Sequence, residues 1–180
     1  MTKDDKSPVT VADFAVQAVV SCLLERAFPH DPLVGEEDAT ALRCVENHAT
    51  LSQVVTFVSR VLAYSTPQTV CSWIDRGGAQ PAKRFWTLDP IDGTKGFLRH
   101  DQYAVALALI VDGHVKLGVL ACPNLSDAQH PDPSGPGSLI IAARGQGAWT
   151  QPLFGEGSLR PLHVAQIADP AQARVLRSFE

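Results

Sequence analysis

The sequence lacks several features that would assign it to a specialised class of protein. No apolar run approaches the ~18 residues of a membrane-spanning helix, and no charged-then-apolar leader opens the chain. Its four cysteines lie far apart without a Cys-x-x-Cys pair, and its six histidines show no metal-ligand spacing. We therefore predict reduced thiols and no zinc site, in a cytoplasmic protein without a membrane partner.

Charge of one sign is not abundant either. The chain has 19 acidic and 15 Lys or Arg residues, a formal net charge of −4, which argues against a surface that coats nucleic acid. An anionic substrate would therefore need local positive charge or a metal ion. The 180 residues suffice for one domain with its own core, since a chain of this size buries roughly 70% of its unfolded surface.

What the sequence does contain is one stretch, residues 85–99, that combines a strand with two carboxylates. Its aromatic and β-branched lead is typical of a buried strand, which we expect Pro90 to end because proline has no N–H. Asp89 and Asp92 then lie three positions apart across a proline turn. Their side chains and the Ile91 carbonyl can converge as the hard oxygen ligands that Mg²⁺ prefers.

The next residues suggest a phosphate site beside the metal. Gly93 allows close backbone approach, and the N–H groups of Gly93 and Thr94 could bind phosphate oxygens. The simpler alternative is a strand followed by a solvated turn. An EF-hand is excluded because the twelfth residue from Asp89 is His100 rather than glutamate. An Asp-x-Asp aspartyl-phosphate phosphatase is excluded because the residue two before Asp92 is a proline.

The sequence Asp-Pro-Ile-Asp-Gly-Thr at 89–94 resembles the signature of the lithium-sensitive, Mg²⁺-dependent phosphomonoesterases related to inositol monophosphatase. With the following Lys-Gly-Phe-Leu-Arg, it resembles the 3′(2′),5′-bisphosphate nucleotidase branch. Two further stretches agree in the same order, at residues 3–14 and 34–38. The resemblance extends from about residue 2 to the end of the chain.

The resemblance implies a set of metal ligands. It assigns one or two Mg²⁺ ions to the carboxylates of Glu36, Asp89 and Asp92 and to the Ile91 carbonyl. By itself a Glu-Glu-Asp run is usually solvent-facing acid. A role for Glu36 as a metal ligand is favoured because it follows a short apolar strand at residues 33–35, which would place it at a strand end.

The resemblance also implies catalytic and substrate-binding residues. Asp5 and Thr94 would orient the attacking water, which Glu36 also contacts, while Asp92, Gly93 and Thr94 would bind the phosphoryl group. On sequence alone, Asp5 is one charge in a solvated run. The implied substrate is a small nucleotide bisphosphate, 3′-phosphoadenosine 5′-phosphate, hydrolysed to AMP and phosphate. An inositol phosphate phosphatase and a non-catalytic metal-binding or regulatory fragment remain alternatives.

The family pattern extends beyond both ends of this chain. The resemblance implies a helix before Met1 and, after Glu180, a second α/β domain with a Trp-Asp-x-Ala-Ala motif. None of the three tryptophans here is followed by aspartate. We therefore expect residues 1–180 to form a single N-terminal α+β domain without the C-terminal substrate domain, and to have weak or no activity alone.

Two helices are predicted in the first part of the chain. Thr10 and Asp13 resemble a capping box for a helix that runs to about Ala27. Asp13, Gln17, Ser21 and Glu25 recur every four residues and are expected to form the outer, polar stripe of that helix while its apolar residues face inward. Apolar spacing predicts a second helix over 49–63. Residues 66–81 contain two prolines and two glycines and are expected to be loop, with a short helix around Val70 to Asp75 as the alternative.

The rest of the chain is predicted to form strands. Alternating small and large residues over 103–111 indicate a strand buried on both faces, and Asp112-Gly113 signals a hairpin. Further strands are expected over 115–121, 138–143, 148–151, 160–164 and 173–179. The predicted architecture is α+β, with helices layered on one face of a mainly antiparallel sheet and the active site at the strand ends.

Overall fold

The computed structural model describes residues 10–173 and shows a layered α+β architecture. The helices are α1 (Val11–Ala27), α2 (His48–Ser59), α3 (Pro67–Asp75) and α4 (Thr94–Leu98). The strands are β1 (Leu33–Val34), β2 (Arg84–Asp92), β3 (Ala104–Val111), β4 (His114–Cys122), β5 (Leu125–Ser126), β6 (His130–Pro131), β7 (Ser138–Ala143), β8 (Gly147–Pro152) and β9 (Arg160–Leu162). Short 3₁₀ turns cover Ala41–Arg43, Val45–Asn47 and Pro170–Gln172.

Seven strands form one sheet in the order β1-β2-β3-β4-β7-β8-β9, and β5 pairs with β6 separately. Strand β1 runs parallel to β2, whereas the other neighbours in the large sheet are antiparallel. The β3–β4 hairpin turns through Asp112 and Gly113, both with positive φ, as a two-residue turn of this kind requires. The predicted fold class and hairpin are confirmed.

Helix α1 begins with the predicted capping box. The Thr10 hydroxyl accepts from the N–H groups of Ala12 and Asp13, and the Asp13 carboxylate accepts from the Thr10 N–H at 2.8 Å. The polar stripe does not face solvent as expected. Asp13, Gln17 and Ser21 are fully buried, and only Glu25 of the four is exposed. Of this stripe, Gln17 bonds backbone groups of Glu36, Glu37 and Ile74, and Asp13 caps its own helix.

Within the segment 66–81, predicted as loop with a short helix around Val70 to Asp75 as the alternative, the structure has the helix, and it begins three residues earlier, at Pro67. Thr66 caps α3 by accepting from the Thr69 N–H, and Pro67 occupies the first helical turn, where its missing N–H has no cost. Proline therefore starts this helix rather than breaking the chain. Helix α2 covers most of the range predicted for it, although it ends at Ser59.

Two hydrophobic clusters hold the layers together. The first joins the three long helices and includes Phe14, Ala18, Leu42, Val54, Val58, Val70 and Ile74. The second lies between α1 and the sheet and consists of Leu24, Leu33, Trp86 and Leu88. Each fully buried Val, Leu, Ile or Phe side chain in these clusters contributes about 1.5–3 kcal/mol to the free energy of unfolding, relative to an exposed one. Helix α1 thus packs on one face of the sheet, chiefly over β2, and α2 and α3 pack on α1.

The other face of the sheet is open among the residues described. Strand β3 was predicted to be buried on both faces, but all its residues are only half-buried. Its small side chains Ala106 and Ala108 line an open groove of about 390 Å³ together with Gly118, Leu120 and Ile140. No helix between residues 10 and 173 is long and apolar enough to cross a bilayer. The strand predicted at 173–179 lies, apart from Ala173, outside the described residues.

Candidate metal centre

Parallel pairing of β1 with β2 brings two distant acidic segments to the same sheet edge. Leu33 pairs with Trp86 and Val34 pairs with Thr87, so the register carried two residues further places Glu36 level with Asp89. Parallel strands have their carboxyl ends at the same edge, which is why a two-residue strand is enough to align these acids. The predicted convergence of Glu36 and Asp89 therefore follows from strand register.

A bulge in β2 places Asp92 on the same face as Asp89. On β2 the two residues are three positions apart, but their partners on β3, Ala106 and Ala104, are two apart. In a regular strand an odd spacing would send the two carboxylates to opposite faces, and the extra residue corrects this. The expectation that Pro90 ends the strand is wrong: β2 continues to Asp92, and the proline falls within the bulge, where no ladder N–H is required.

The electrostatics of the site centre on Asp89. Its pKa is raised to about 7, first by burial, then by the negative charge of Glu36 and a hydrogen bond with the Glu36 side chain, and then by Asp92. The Ile91 N–H, which donates to Asp89 Oδ1 at 3.1 Å, opposes this shift. A cation among these groups would offset the negative charges that raise the pKa of Asp89.

The loop after Asp92 has a defined local structure. Gly93 has a φ of 86°, which a side chain would strain, and it leads into α4. The Thr94 hydroxyl donates to the Ile91 carbonyl at 3.0 Å, which ties the predicted carbonyl ligand to the predicted catalytic hydroxyl. Gly96 is buried, and its backbone lies so close to the Gln102 carbonyl oxygen that a Cβ would come within 2.2 Å.

The donor set suits a hard divalent cation. Glu36 and Asp89 are adjacent carboxyl groups, Asp92 is an exposed carboxylate on the same face, and a backbone carbonyl lies between the two aspartates. Within residues 10–173, no group of three or more His, Cys, Asp or Glu side chains is already gathered as a metal cluster. The set fits Mg²⁺ or Ca²⁺ rather than zinc, since all its donors are oxygen. Asp5, predicted to be catalytic, lies outside the described residues.

One site-forming residue was missed at the sequence level. Gln17 on α1 accepts hydrogen bonds from the backbone N–H groups of Glu36 and Glu37 and donates to the Glu37 carbonyl. It was assigned to a solvent-facing stripe. The available signal was that Asp13, Gln17 and Ser21 recur every four residues in an otherwise apolar helix, a pattern that also fits a buried polar seam.

Comparison with known proteins agrees with these features. The sequence model of the inositol monophosphatase family matches residues 1–177. Over 201 aligned residues the chain is 41% identical to 3′(2′),5′-bisphosphate nucleotidase 1 of Candida albicans (strain SC5314), covering 100% of this chain and 55% of that protein.

Two other curated proteins give a similar result. The identity is 44% over 177 residues to the 3′(2′),5′-bisphosphate nucleotidase of Schizosaccharomyces pombe, covering 91% of this chain and 49% of that protein. It is 42% over 198 residues to 3′(2′),5′-bisphosphate nucleotidase 1 of Arabidopsis thaliana, covering 99% and 56%. The chain spans about half the length of the curated relatives it matches. Because the family model matches nearly all of it, the chain belongs to the inositol monophosphatase family.

Proposed function

We propose that this chain carries the metal centre of a Mg²⁺-dependent phosphatase that removes the 3′-phosphate of 3′-phosphoadenosine 5′-phosphate, giving AMP and phosphate. The observation that carries the proposal is the adjacent carboxyl pair of Glu36, just after β1, and Asp89, near the end of the parallel strand β2, with Asp92 on the same face. The naming of its 40–44% identical relatives as bisphosphate nucleotidases supports the substrate.

The proposed metal ligands are Glu36, Asp89, Asp92 and the Ile91 carbonyl. They supply hard oxygen donors and negative charge in a partly buried site. When bound, a divalent cation supplies positive charge that offsets the phosphate and makes water more acidic. We propose Mg²⁺ as the ion and Li⁺ as an inhibitor, as the family resemblance implies.

The remaining residues act on the water and the phosphoryl group. The Thr94 hydroxyl donates a hydrogen bond to the Ile91 carbonyl. The lone pairs of the hydroxyl oxygen therefore remain able to accept a hydrogen bond from the attacking water. The left-handed conformation at Gly93 lets the backbone of Gly93 and Thr94 approach phosphate oxygens closely. Asp5 is proposed to share the orientation of the water. Attack on phosphorus breaks the bond to the 3′ oxygen, which leaves with a proton.

The activity of these 180 residues alone is proposed to be weak, because the relatives are nearly twice as long. We place it in the cytoplasm and in the metabolism of sulfated nucleotides. The support for the cytoplasm is that all four cysteines are free, three of them buried.

The test measures Mg²⁺ binding by calorimetry and phosphate release from 3′-phosphoadenosine 5′-phosphate with and without Li⁺. Glu36→Gln and Asp89→Asn should abolish both, whereas Glu25→Gln, at an exposed carboxylate on α1, should change neither. Faster release from inositol phosphates would favour the inositol phosphatase alternative. Binding without any turnover would favour a non-catalytic metal-binding fragment, and metal-independent release would contradict the proposal.

A further inference from the structure

A single buried amide connects helix α1 to the segment that carries Glu36. Gln17 is fully buried, and its Oε1 accepts from the Glu36 N–H at 3.1 Å and from the Glu37 N–H at 3.0 Å. Its Nε2 donates to the Glu37 carbonyl at 2.5 Å and to the Ile74 carbonyl, at the end of α3, at 2.8 Å. One side chain thus binds three backbone groups of Glu36 and Glu37 and one backbone group of a neighbouring helix.

These four bonds use the full hydrogen-bonding capacity of the amide. A primary amide has two N–H donors and one oxygen with two lone pairs, and each has a backbone partner here. Glu36 lies two residues beyond the last paired position of β1, Val34 with Thr87. Gln17 therefore takes the place of a neighbouring strand for the backbone at Glu36 and Glu37.

Two glycines leave the space that the amide occupies. A Cβ built on Gly35 would lie 2.6 Å from Gln17 Oε1, and one built on Gly77 would lie 2.5 Å from Gln17 Nε2. The two glycines are themselves joined, since the Gly35 N–H donates to the Gly77 carbonyl at 2.8 Å. The amide is thus enclosed by backbone from two segments, and its position cannot shift without moving the residue before Glu36.

We infer that Gln17 is a positioning residue for the metal centre: it fixes the backbone at Glu36 so that this carboxylate meets Asp89. The inference rests on the proposed function, because it assigns Glu36 to a divalent cation. A purely structural role would make Gln17 one buried core residue among several. Its removal would then lower stability without changing metal affinity at temperatures where the protein stays folded.

The experiment compares Mg²⁺ affinity by calorimetry for the whole chain and a set of variants. Gln17→Met keeps the length of the side chain but removes all four bonds. Gly77→Ala displaces the amide from the side of α3 without changing Gln17 or Glu36. The matched controls are Cys22→Ala, a core truncation on the same helix, and Gly118→Ala, whose added Cβ meets nothing within 4 Å.

We expect Gln17→Met and Gly77→Ala to weaken Mg²⁺ binding at least about tenfold and the two controls to leave it unchanged. Equal loss of affinity in Cys22→Ala, or an unchanged affinity in folded Gln17→Met, would overturn the inference. If Gln17→Met does not fold, Gly77→Ala decides the outcome in the same way.

Amide hydrogen exchange separates failure of this inference from failure of the proposed function. If the unaltered chain binds no Mg²⁺, the proposed function is wrong, but exchange at the Glu36 and Glu37 amides still reports their fixation. The Glu36 and Glu37 amides should exchange faster in Gln17→Met or Gly77→Ala. The reference is the Ala39 amide, whose N–H donates to Asp75 Oδ1 at 2.8 Å rather than to Gln17. Unchanged exchange at Glu36 and Glu37 would show that Gln17 does not fix this backbone.

Discussion

The side chains of Glu36 and Asp89 share a hydrogen bond, although Glu36 follows a two-residue strand and Asp89 lies near the end of a nine-residue strand. Two carboxyl groups can share a hydrogen bond only if one of them holds a proton. Burial and the neighbouring charges raise the pKa of Asp89 to about 7 accordingly. In the proposed site, a cation would replace this proton.

Metal affinity should therefore depend on pH near neutrality. Because Mg²⁺ and a proton compete for Asp89, whose pKa is raised to about 7, affinity should rise as pH increases from about 6 to 8. Calorimetric titration at several pH values measures this dependence. Asp112→Asn, at a remote hairpin, should retain the same profile, and a flat profile in the unaltered chain would contradict the prediction.

The stability of the metal-free protein should change in the opposite direction. A raised pKa means that the folded state binds the Asp89 proton more tightly than the unfolded state, so stability is highest below about pH 4 as far as this group is concerned. That contribution is lost as pH rises to about 7. With a chelator present, the melting temperature of Asp89→Asn should lack this part of the pH dependence. Parallel plots of melting temperature against pH for the variant and the unaltered chain would contradict the prediction.

Thr94 should affect turnover more than metal binding. Thr94→Val removes the hydroxyl that donates to the Ile91 carbonyl and that we propose orients the water, so phosphate release should fall about a hundredfold. Thr94→Ser retains the hydroxyl and should retain most of the activity. Assays at saturating Mg²⁺ distinguish the two variants. Equal rates for valine and serine would remove Thr94 from the proposed mechanism.

The loop around α4 should tolerate no added side chain at Gly96. A Cβ there would lie 2.2 Å from the Gln102 carbonyl oxygen, so Gly96→Ala should destabilise the protein by about 1–3 kcal/mol despite the helical propensity of alanine. Gly118→Ala meets open space and should change stability by less than about 1 kcal/mol. Denaturant unfolding of both variants measures the difference, and similar losses would contradict the predicted clash.

Asp31 should stabilise the fold except in acid. The Arg84 guanidinium lowers the pKa of Asp31, against a smaller effect of burial, and the Trp86 indole N–H donates to the same carboxylate at 3.0 Å. A lowered folded pKa gives stability above the unfolded value of about 4 that is lost as pH falls through the folded value. Asp31→Asn should therefore lower the melting temperature at pH 7 but not near pH 2. A deficit that persists in acid would indicate a packing defect instead.

Local signals in the sequence were sufficient for much of the fold. The Thr10 capping box, the Asp112-Gly113 turn and the existence of strand β3 each depend on residues close together in the chain, so they were predictable, although the burial of β3 on both faces was not correct. The convergence of Glu36 with Asp89 was also predicted, but on the family resemblance rather than on spacing. The parallel β1–β2 register supplies its physical basis.

Features that depend on distant partners were not predictable in this way. Gln17 looks like a surface residue until the irregular segment at Glu36 and Glu37, whose backbone needs hydrogen bonds, is packed against it. Pro67 can end or begin a helix, and only the capping Thr66 before it distinguishes the two. The Gln17 case depends on a segment distant in sequence, whereas the Pro67 case depends on a local cap that was available in the sequence.

The β2 bulge makes the acidic motif sensitive to length as well as to composition. The unpaired extra residue decides which face of the sheet each later side chain of β2 points to. Asp92 therefore shares a face with Asp89 only while two residues separate them. Substitutions at Pro90 or Ile91 can leave that arrangement intact, but losing either residue would turn Asp92 towards the helix-covered side. The count of residues between the aspartates is thus itself a determinant of which side of the sheet carries the charge.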